Sequence, residues 1–206
     1  MSNLLLQESP MLLIIITLIS LLLTYFCKSY IPLTFGILII LVLFYFYRVP
    51  QRKCNLSPNS IIAPSDGTIM KIISDPLTKR KTISIFLSPL DVHVQYIPYN
   101  GRIKSQIYKK GTFHPAYMFT KSQYNERNTI VIETLKGDIS ITQIAGMVAR
   151  RIVSHVKVNN VVKKGDIYGM IKLSSRVDIT LPSNVNVLVA EKQRIVGCET
   201  VLATFT

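Results

Sequence analysis

The sequence predicts a mainly β protein: an antiparallel β-sandwich/barrel domain carried on an N-terminal two-helix membrane hairpin. Three observations lead there. Two uncharged apolar runs of 17 residues, Met11 to Cys27 and Ile31 to Tyr47, lie near the N-terminus. From about residue 55 onward, short alternating apolar runs follow one another with glycine-containing turns between them. The chain has no strand–helix–strand alternation and no glycine-rich phosphate loop.

Each apolar run is at the short end of what crosses a bilayer, for which about 20 residues are typical and roughly 17 the minimum. Only Lys28-Ser29-Tyr30 separates them, so the reading is a hairpin that either spans the membrane fully or dips in and returns. A buried helical pair in a soluble core is the alternative. A cleaved signal peptide fits poorly, because "MSNLLLQESP" has no basic start and the apolar stretch is too long. Residues 1–47 are therefore expected to be an anchor and 48–206 a β-rich domain. Arg48, Arg52 and Lys53 follow the second run directly, which by the positive-inside tendency turns that domain toward the cytoplasm.

The charge lies beyond the anchor. The chain has 24 Lys+Arg and 11 Asp+Glu, and of these only Lys28 and Glu8 precede residue 48, which leaves the net +13 on the remainder. Basic residues at an anionic lipid surface each gain about 1 kcal/mol. The partner this implies is an anionic membrane surface. Nucleic acid is disfavoured, since no zinc knuckle, aromatic-glycine RNA signature or basic helix accompanies the charge. Cys27, Cys54 and Cys198 are odd in number and scattered, so neither a disulfide framework nor a metal cluster is expected. His93, His114 and His155 show no zinc-ligand spacing, and no metal is predicted.

The strands are read in order. "SIIAPSDGTIMKII" holds an Asp-Gly turn between apolar runs, "KTISIFLS" alternates, and "VQYIPYNGRIKSQIY" carries Asn-Gly, a strong hairpin signal. "NTIVIETLKGDISITQIAG" is a hairpin across Lys136-Gly137-Asp138, and "VNNVVKKGDIYGMIKL" turns at Lys164-Gly165-Asp166. "NVNVLVAEKQRIVGCETVLATF" supplies one or two more strands. "AGMVARRIVSHV" fits a short helix or a strand, and "FHPAYMFTKSQYNERN" a helical or irregular loop. "GMIKLSSRVDITLP" reads as a strand closed by Pro182, with Ser174 and Ser175 as its anomaly. Serine suits strand interiors poorly, so the pair marks a bulge, a turn or a place where the backbone reacts.

Five stretches can carry chemistry: "YFYRVPQR", "APSDGT", "FLSPLDVHV", "NERN" with "QIAGMVARRI", and "GMIKLSSRVD". Singly, each has a structural explanation. Asp66 precedes a glycine as turn residues do, His93 alternates with apolar neighbours as a hydrogen-bonded strand histidine does, "NERN" fits a solvated loop, and Arg150-Arg151 fits a charged surface pair.

Together and in this order they resemble the phosphatidylserine decarboxylase family, in its short membrane-anchored form, over roughly residues 45 to 206. The family's aromatic-aromatic-Arg-Asp-Pro-x-Arg entry stands here as Phe46 to Arg52, with Val49 in place of aspartate. Its Pro-x-Asp-Gly is Pro64 to Gly67, its Ser-Pro-x-Asp-Val-His is Ser88 to His93, and its Asn-Glu-Arg-Asn is Asn125 to Asn128. Gln143 to Ile152 and Ser175 to Asp178 complete the set. The resemblance implies self-cleavage between Ser174 and Ser175, into a β chain of residues 1–174 and an α chain of 175–206. Ser175 is then the nucleophile and the precursor of a covalent pyruvoyl group, which acts as electron sink in place of pyridoxal phosphate. A serine hydroxyl needs an adjacent base, and that base an orienting acid. From the matched motifs His93 is taken as the base and Asp66 as the acid that orients it, and the unperturbed pKa of a histidine lies near neutrality, which suits it to return the proton after decarboxylation. The implied substrate is phosphatidylserine and the product phosphatidylethanolamine. Arg48, Arg52, Arg150 and Arg151 are candidates for its phosphate, and a homo-oligomer is compatible with all of this.

Two departures stand against the family pattern. Ser174 replaces the usual glycine before the cut, where freedom of backbone angle and close approach matter. Tyr96 stands where some members carry a second histidine. An unprocessed, degenerate member acting as a membrane-bound lipid-binding or scaffold protein is therefore an alternative. A lipoyl-type carrier module is another, suggested by "APSDGTIMKI" and "VVKKGDIYGMI", but the hairpin-tip lysine in its usual sequence context is missing.

Overall fold

The structure is a computed structural model that describes residues 2–5, 9–54, 57–147, 151–172 and 175–206. The chain divides into two compact units, Met1–Gln51 and Arg52–Thr206.

In the first unit, α1 (Pro10–Cys27) and α2 (Ile31–Phe46) form an antiparallel pair. Proline stands in the first turn of each, where a missing N–H costs nothing. Lys28, in the left-handed conformation at φ 48°, ends α1. The helices approach closely where Ser20 meets Gly36: a methyl group on Gly36 would collide with the Ser20 hydroxyl, which is turned back onto the Ile16 carbonyl at 2.7 Å. Small residues permit such crossings between apolar helices. Among the described residues α1 is long and apolar enough to cross a membrane, while α2, at 16 residues, is shorter. Strands β1 (Ser2–Asn3) and β2 (Arg48–Val49) pair antiparallel at the base of the helix pair.

The second unit is built from antiparallel strands. An eight-stranded sheet runs in the order β11 (Val161–Val162), β7 (Gly101–Lys109), β8 (Arg127–Glu133), β9 (Ile139–Ala145), β13 (Ser175–Leu181), β5 (Lys81–Leu87), β4 (Gly67–Ser74), β15 (Arg194–Ile195). Two three-stranded sheets accompany it: β10 (Ile152–Ser154), β12 (Ile167–Ile171), β6 (Val94–Tyr96), and β14 (Val185–Val187), β16 (Val201–Phe205), β3 (Ser60–Ile62). The mainly β, antiparallel fold with an N-terminal helix pair is the one the sequence predicts. Its core is rich in isoleucine, with Ile69, Ile83, Ile85, Ile130, Ile141 and Ile179 fully buried. β13 shows how alternation builds it: Val177, Ile179 and Leu181 face the core, while Arg176, Asp178 and Thr180 lie on the other face beside Phe86, Ser84 and Thr82.

The structure corrects four local readings. Lys136-Gly137-Asp138 does close the β8–β9 hairpin, but Asn100-Gly101 does not close one, because β6 and β7 belong to different sheets. The same holds for Asp66-Gly67 between β3 and β4. Both glycines answer a different need: a methyl group on Gly67 or Gly101 would collide with the backbone carbonyl of Phe86 or Glu133 on the adjacent strand. "GMIKLSSRVDITLP" is not one strand but two, β12 and β13, in separate sheets, with Ser175 as the first residue of β13 and Ser174 outside the described residues. "ARRIVSHV" contributes strand β10, with Arg150 outside the described residues, and the irregular 113–126 segment holds one short helix, α3 (Phe119–Ser122). Finally, Cys54 and Cys198 form a disulfide across 144 residues, with Cα atoms 4.7 Å apart. The expectation of no disulfide fails because a pairing at that separation exists only in three dimensions.

Candidate active site

Ser175 lies where the chain crosses from the small β10–β12–β6 sheet into the centre of the large one. It pairs with Leu87 on one side and Ala145 on the other. The same side of β13 as Val177 and Ile179 carries its hydroxyl, so Ser175 faces the core and is fully buried. Its Oγ has no hydrogen-bond partner among the described residues. Burying a hydroxyl without a bond costs about 1–3 kcal/mol.

His93 reaches the same region by a short path. Leu87, the partner of Ser175, leads into the Ser88–Val92 turn, which closes on itself: Ser88 N–H donates to Asp91 Oδ2 at 2.7 Å and Asp91 N–H to the Ser88 carbonyl at 2.9 Å. His93 follows and enters β6, whose Val94 pairs with Met170 near the end of β12. The serine and the histidine thus flank the β12–β13 crossing from two sheets. His93 is fully buried, and its Nδ1 lies 2.8 Å from the Asp91 carbonyl oxygen. A carbonyl can only accept, so Nδ1 carries the proton and the neutral ring has its lone pair on Nε2.

Two carboxylates stand close enough to act on each other, Asp91 buried and Asp66 half-buried. Asp91 is paired with Arg194 of β15. Asp66 accepts from Arg52 Nη2 at 2.8 Å and from the Gly197 N–H at 2.8 Å. Its neighbourhood is tied to the start of β6 by the Tyr96 N–H bonded to the Pro64 carbonyl at 2.8 Å. Burial raises the Asp66 carboxyl above its ordinary value; Gly197 and Arg52 pull it down, and the Asp91 charge pushes it further up. Tyr96 packs against Gly197, and burial likewise raises its phenol while Arg52 opposes the shift. The structure therefore brings Asp66, Arg52 and Tyr96 together, and His93 together with Asp91. His93 Nδ1 is bonded to the Asp91 carbonyl, whereas the Asp66 oxygens are engaged by Arg52 and Gly197.

Of the remaining basic candidates, Arg48 belongs to the first unit, where its guanidinium stacks 3.8 Å over the Tyr45 ring. Arg52 also faces Glu199 at 3.8 Å. Arg151 is exposed, and its carbonyl accepts from the N–H of Lys172, three residues before Ser175. Arg150 and Ser174 lie outside the described residues.

Reasoning from sequence assigned no role to several residues that shape the site. Asn125 is buried and donates to the carbonyls of His114 and Ala145, both at 2.7 Å, while its Oδ1 accepts from the His114 N–H at 2.8 Å and from Thr112 at 3.2 Å. It staples the 112–125 segment to Ala145, the partner of Ser175. A chain of amides, buried at Gln95, Gln143 and Asn128 and half-buried at Gln106, runs between the sheets. Arg176 is buried beside Ser175, 3.0 Å from Asp178, bonded to Ser122 Oγ at 2.8 Å and stacked 4.5 Å over Phe119. Asn125, Asn128, Gln143 and Arg176 fall inside "NERN", "QIAG" and "SRVD", which was the available signal, whereas Gln95 and Gln106 lie outside those motifs. Among the described residues no group of three or more His, Cys, Asp or Glu is placed to hold a metal ion.

The phosphatidylserine decarboxylase family model matches residues 39–203, most of the chain. A Methanosarcina mazei protein provisionally named an archaetidylserine decarboxylase proenzyme is 39% identical over 169 residues, covering 82% of this chain and 78% of that protein. The phosphatidylserine decarboxylase proenzyme of the Wolbachia of Brugia malayi is 43% identical over 169 residues, covering 77% and 74%. That of Rhodococcus erythropolis is 41% identical over 173 residues, covering 77% and 70%. The matched span contains Ser175, His93 and Asp66 and all of the β unit up to residue 203, and the chain belongs to the phosphatidylserine decarboxylase family.

Proposed function

We propose that this decarboxylase converts phosphatidylserine to phosphatidylethanolamine and carbon dioxide at a membrane surface, using a pyruvoyl group that it makes from its own Ser175. The observation that carries the reading is the Ser175 hydroxyl: buried, without a hydrogen-bond partner among the described residues, and first in the central strand. A pyruvoyl group at that position carries its keto oxygen on Cα, where the Ser175 nitrogen stands, and a methyl group in place of the buried hydroxymethyl that has no hydrogen-bond partner among the described residues, so the site fits it.

In the cleavage, Ser175 Oγ attacks the carbonyl carbon of residue 174 while His93 Nε2 takes the hydroxyl proton. The peptide C–N bond breaks and an ester forms. Elimination across Cα–Cβ of Ser175 then frees residue 174 as a carboxylate, and water replaces the nitrogen of the dehydrated residue, which leaves as ammonia. When present, the pyruvoyl group supplies an electron sink for loss of the substrate carboxylate. His93 is held in one tautomer by the Asp91 carbonyl and can return a proton through Nε2 to the carbon that has lost its carboxylate. Asp66 acts on His93 as a half-buried carboxyl group, fixed by Arg52 and Gly197. Arg151, exposed beside the crossing, is assigned with Arg150 to the lipid phosphate, since Arg52 is engaged by Asp66. The apolar helix pair and the basic β unit suit a substrate that stays in an anionic membrane.

The test is His93→Ala. Neither cleavage nor carbon dioxide release is expected, and cleavage without carbon dioxide release would remove the ring from the cutting step alone. A variant that cleaves and decarboxylates like the wild type removes His93 from the mechanism.

A further inference from the structure

We propose that Cys54 and Cys198 are a site of disulfide formation that joins the two chains of the processed protein and braces the donors that hold Asp66. The two-chain consequence rests on the self-processing reading; the bond itself does not.

The geometry carries it. The two cysteines form a disulfide with Cα atoms 4.7 Å apart, within the range bridged pairs adopt. Cys198 is fully buried at φ 68°, a left-handed conformation that side chains seldom occupy, and its N–H is bonded to the Ala63 carbonyl at 2.9 Å. The third residue at this point is Gly165, itself at φ 91°: a methyl group there would stand 2.8 Å from the sulfur of Cys54 and 3.3 Å from that of Cys198. Three separate segments thus converge on the sulfur pair, one of them without a side chain so that both sulfurs fit.

Position gives the bond its consequence. Cleavage before Ser175 would leave Cys54 on the β chain and Cys198 on the α chain, so the bond links the new chains. Arg52 is two residues before Cys54, and Gly197 immediately precedes Cys198; these residues provide the two hydrogen bonds to Asp66, both 2.8 Å. The bond therefore ties together covalently the two segments that supply the partners of Asp66. Its formation is an exchange in which two thiols lose two protons and two electrons to a small-molecule disulfide, which departs as two thiols. On a reducing face of the membrane the pair rests as thiols and closes when the thiol pool is oxidised.

The experiment uses the full-length protein in detergent in a Cys27→Ser background, where only these two cysteines remain. Samples treated with glutathione disulfide or with dithiothreitol are denatured and alkylated with a polyethylene glycol maleimide. The proposal expects no adduct after oxidation and two after reduction, with the α chain released on a denaturing gel only by reductant. Adding Cys198→Ser should release it under both conditions. Two adducts after oxidation, with the α chain already free, overturn the proposal. A chain that stays in one piece under reducing conditions overturns self-processing instead; the bond is then read from the adduct count and from a linked Cys54–Cys198 peptide, whose absence overturns the proposal independently.

Discussion

Replacing Asn125 by alanine tests how the loop over the site is held. The side chain is buried and bonds four groups: the carbonyls of His114 and Ala145, the His114 N–H and the Thr112 hydroxyl. Its bond to Ala145 is fully buried, so the orphaned carbonyl there has no access to water, whereas the His114 and Thr112 groups are half-buried and regain part of their hydration. A buried group left without its partner costs about 1–3 kcal/mol; one full loss and several partial ones give about 3 kcal/mol. With a urea dependence of about 2 kcal/mol per molar, typical of a domain of this size, the midpoint falls by about 1.5 M. The chain has no tryptophan and ten tyrosines, so tyrosine near-ultraviolet circular dichroism is the assay. Asn125→Asp is the companion variant: it can still accept from His114 but cannot donate to either carbonyl, and is expected to lose at least as much. Because Ala145 is the register partner of Ser175, the alanine variant should also cleave more slowly. A midpoint unchanged within about 0.2 M, with cleavage at the wild-type rate, would refute the reasoning, since that shift corresponds to under about 0.5 kcal/mol.

Further outcomes are expected at neighbouring residues. Gly67→Ala places a methyl group against the Phe86 backbone at φ 148° and should destabilise the β unit by about 3 kcal/mol, measured by the same unfolding assay. Asp66→Asn tests a pH dependence with a definite sign. Burial raises the Asp66 carboxyl above 3.8, so the stability this group contributes is present in acid, below its unfolded value, and lost as pH rises through its folded value. The asparagine variant should therefore gain on the wild type at neutral pH, and the gain should shrink on acidification toward 3.8; a difference that grows in acid contradicts the assignment.

Much of this fold is legible because strand alternation is a local property. In Ser175–Leu181 the apolar positions already name the buried face, and Lys136-Gly137-Asp138 already names its hairpin. What the residues do not display is which strand accepts which. Asn100-Gly101 carries a hairpin signal, yet its glycine serves a close approach to Glu133, and β6 pairs with β12 instead. The run through Ser174 and Ser175 looks like one strand because a change of sheet leaves no mark on alternation. At the site, His93, Asp66 and Ser175 came from motif order, but the groups that fix them include backbone ones, the Asp91 carbonyl and the Gly197 N–H, which no side-chain pattern announces. The Cys54–Cys198 pairing was hidden for the same reason, since it joins residues 144 apart.

The central claim is that the chain cuts itself before Ser175, and the intact mass of the purified protein, wild type beside Ser175→Ala, tests it most directly. The account predicts two chains in the wild type under reducing conditions, residues 1–174 and a 175–206 chain whose N-terminus is a pyruvoyl group, and a single 23.3 kDa chain in the variant. A wild-type protein of one uncut chain would contradict it and leave the buried Ser175 hydroxyl as a structural feature of an unprocessed member of the family.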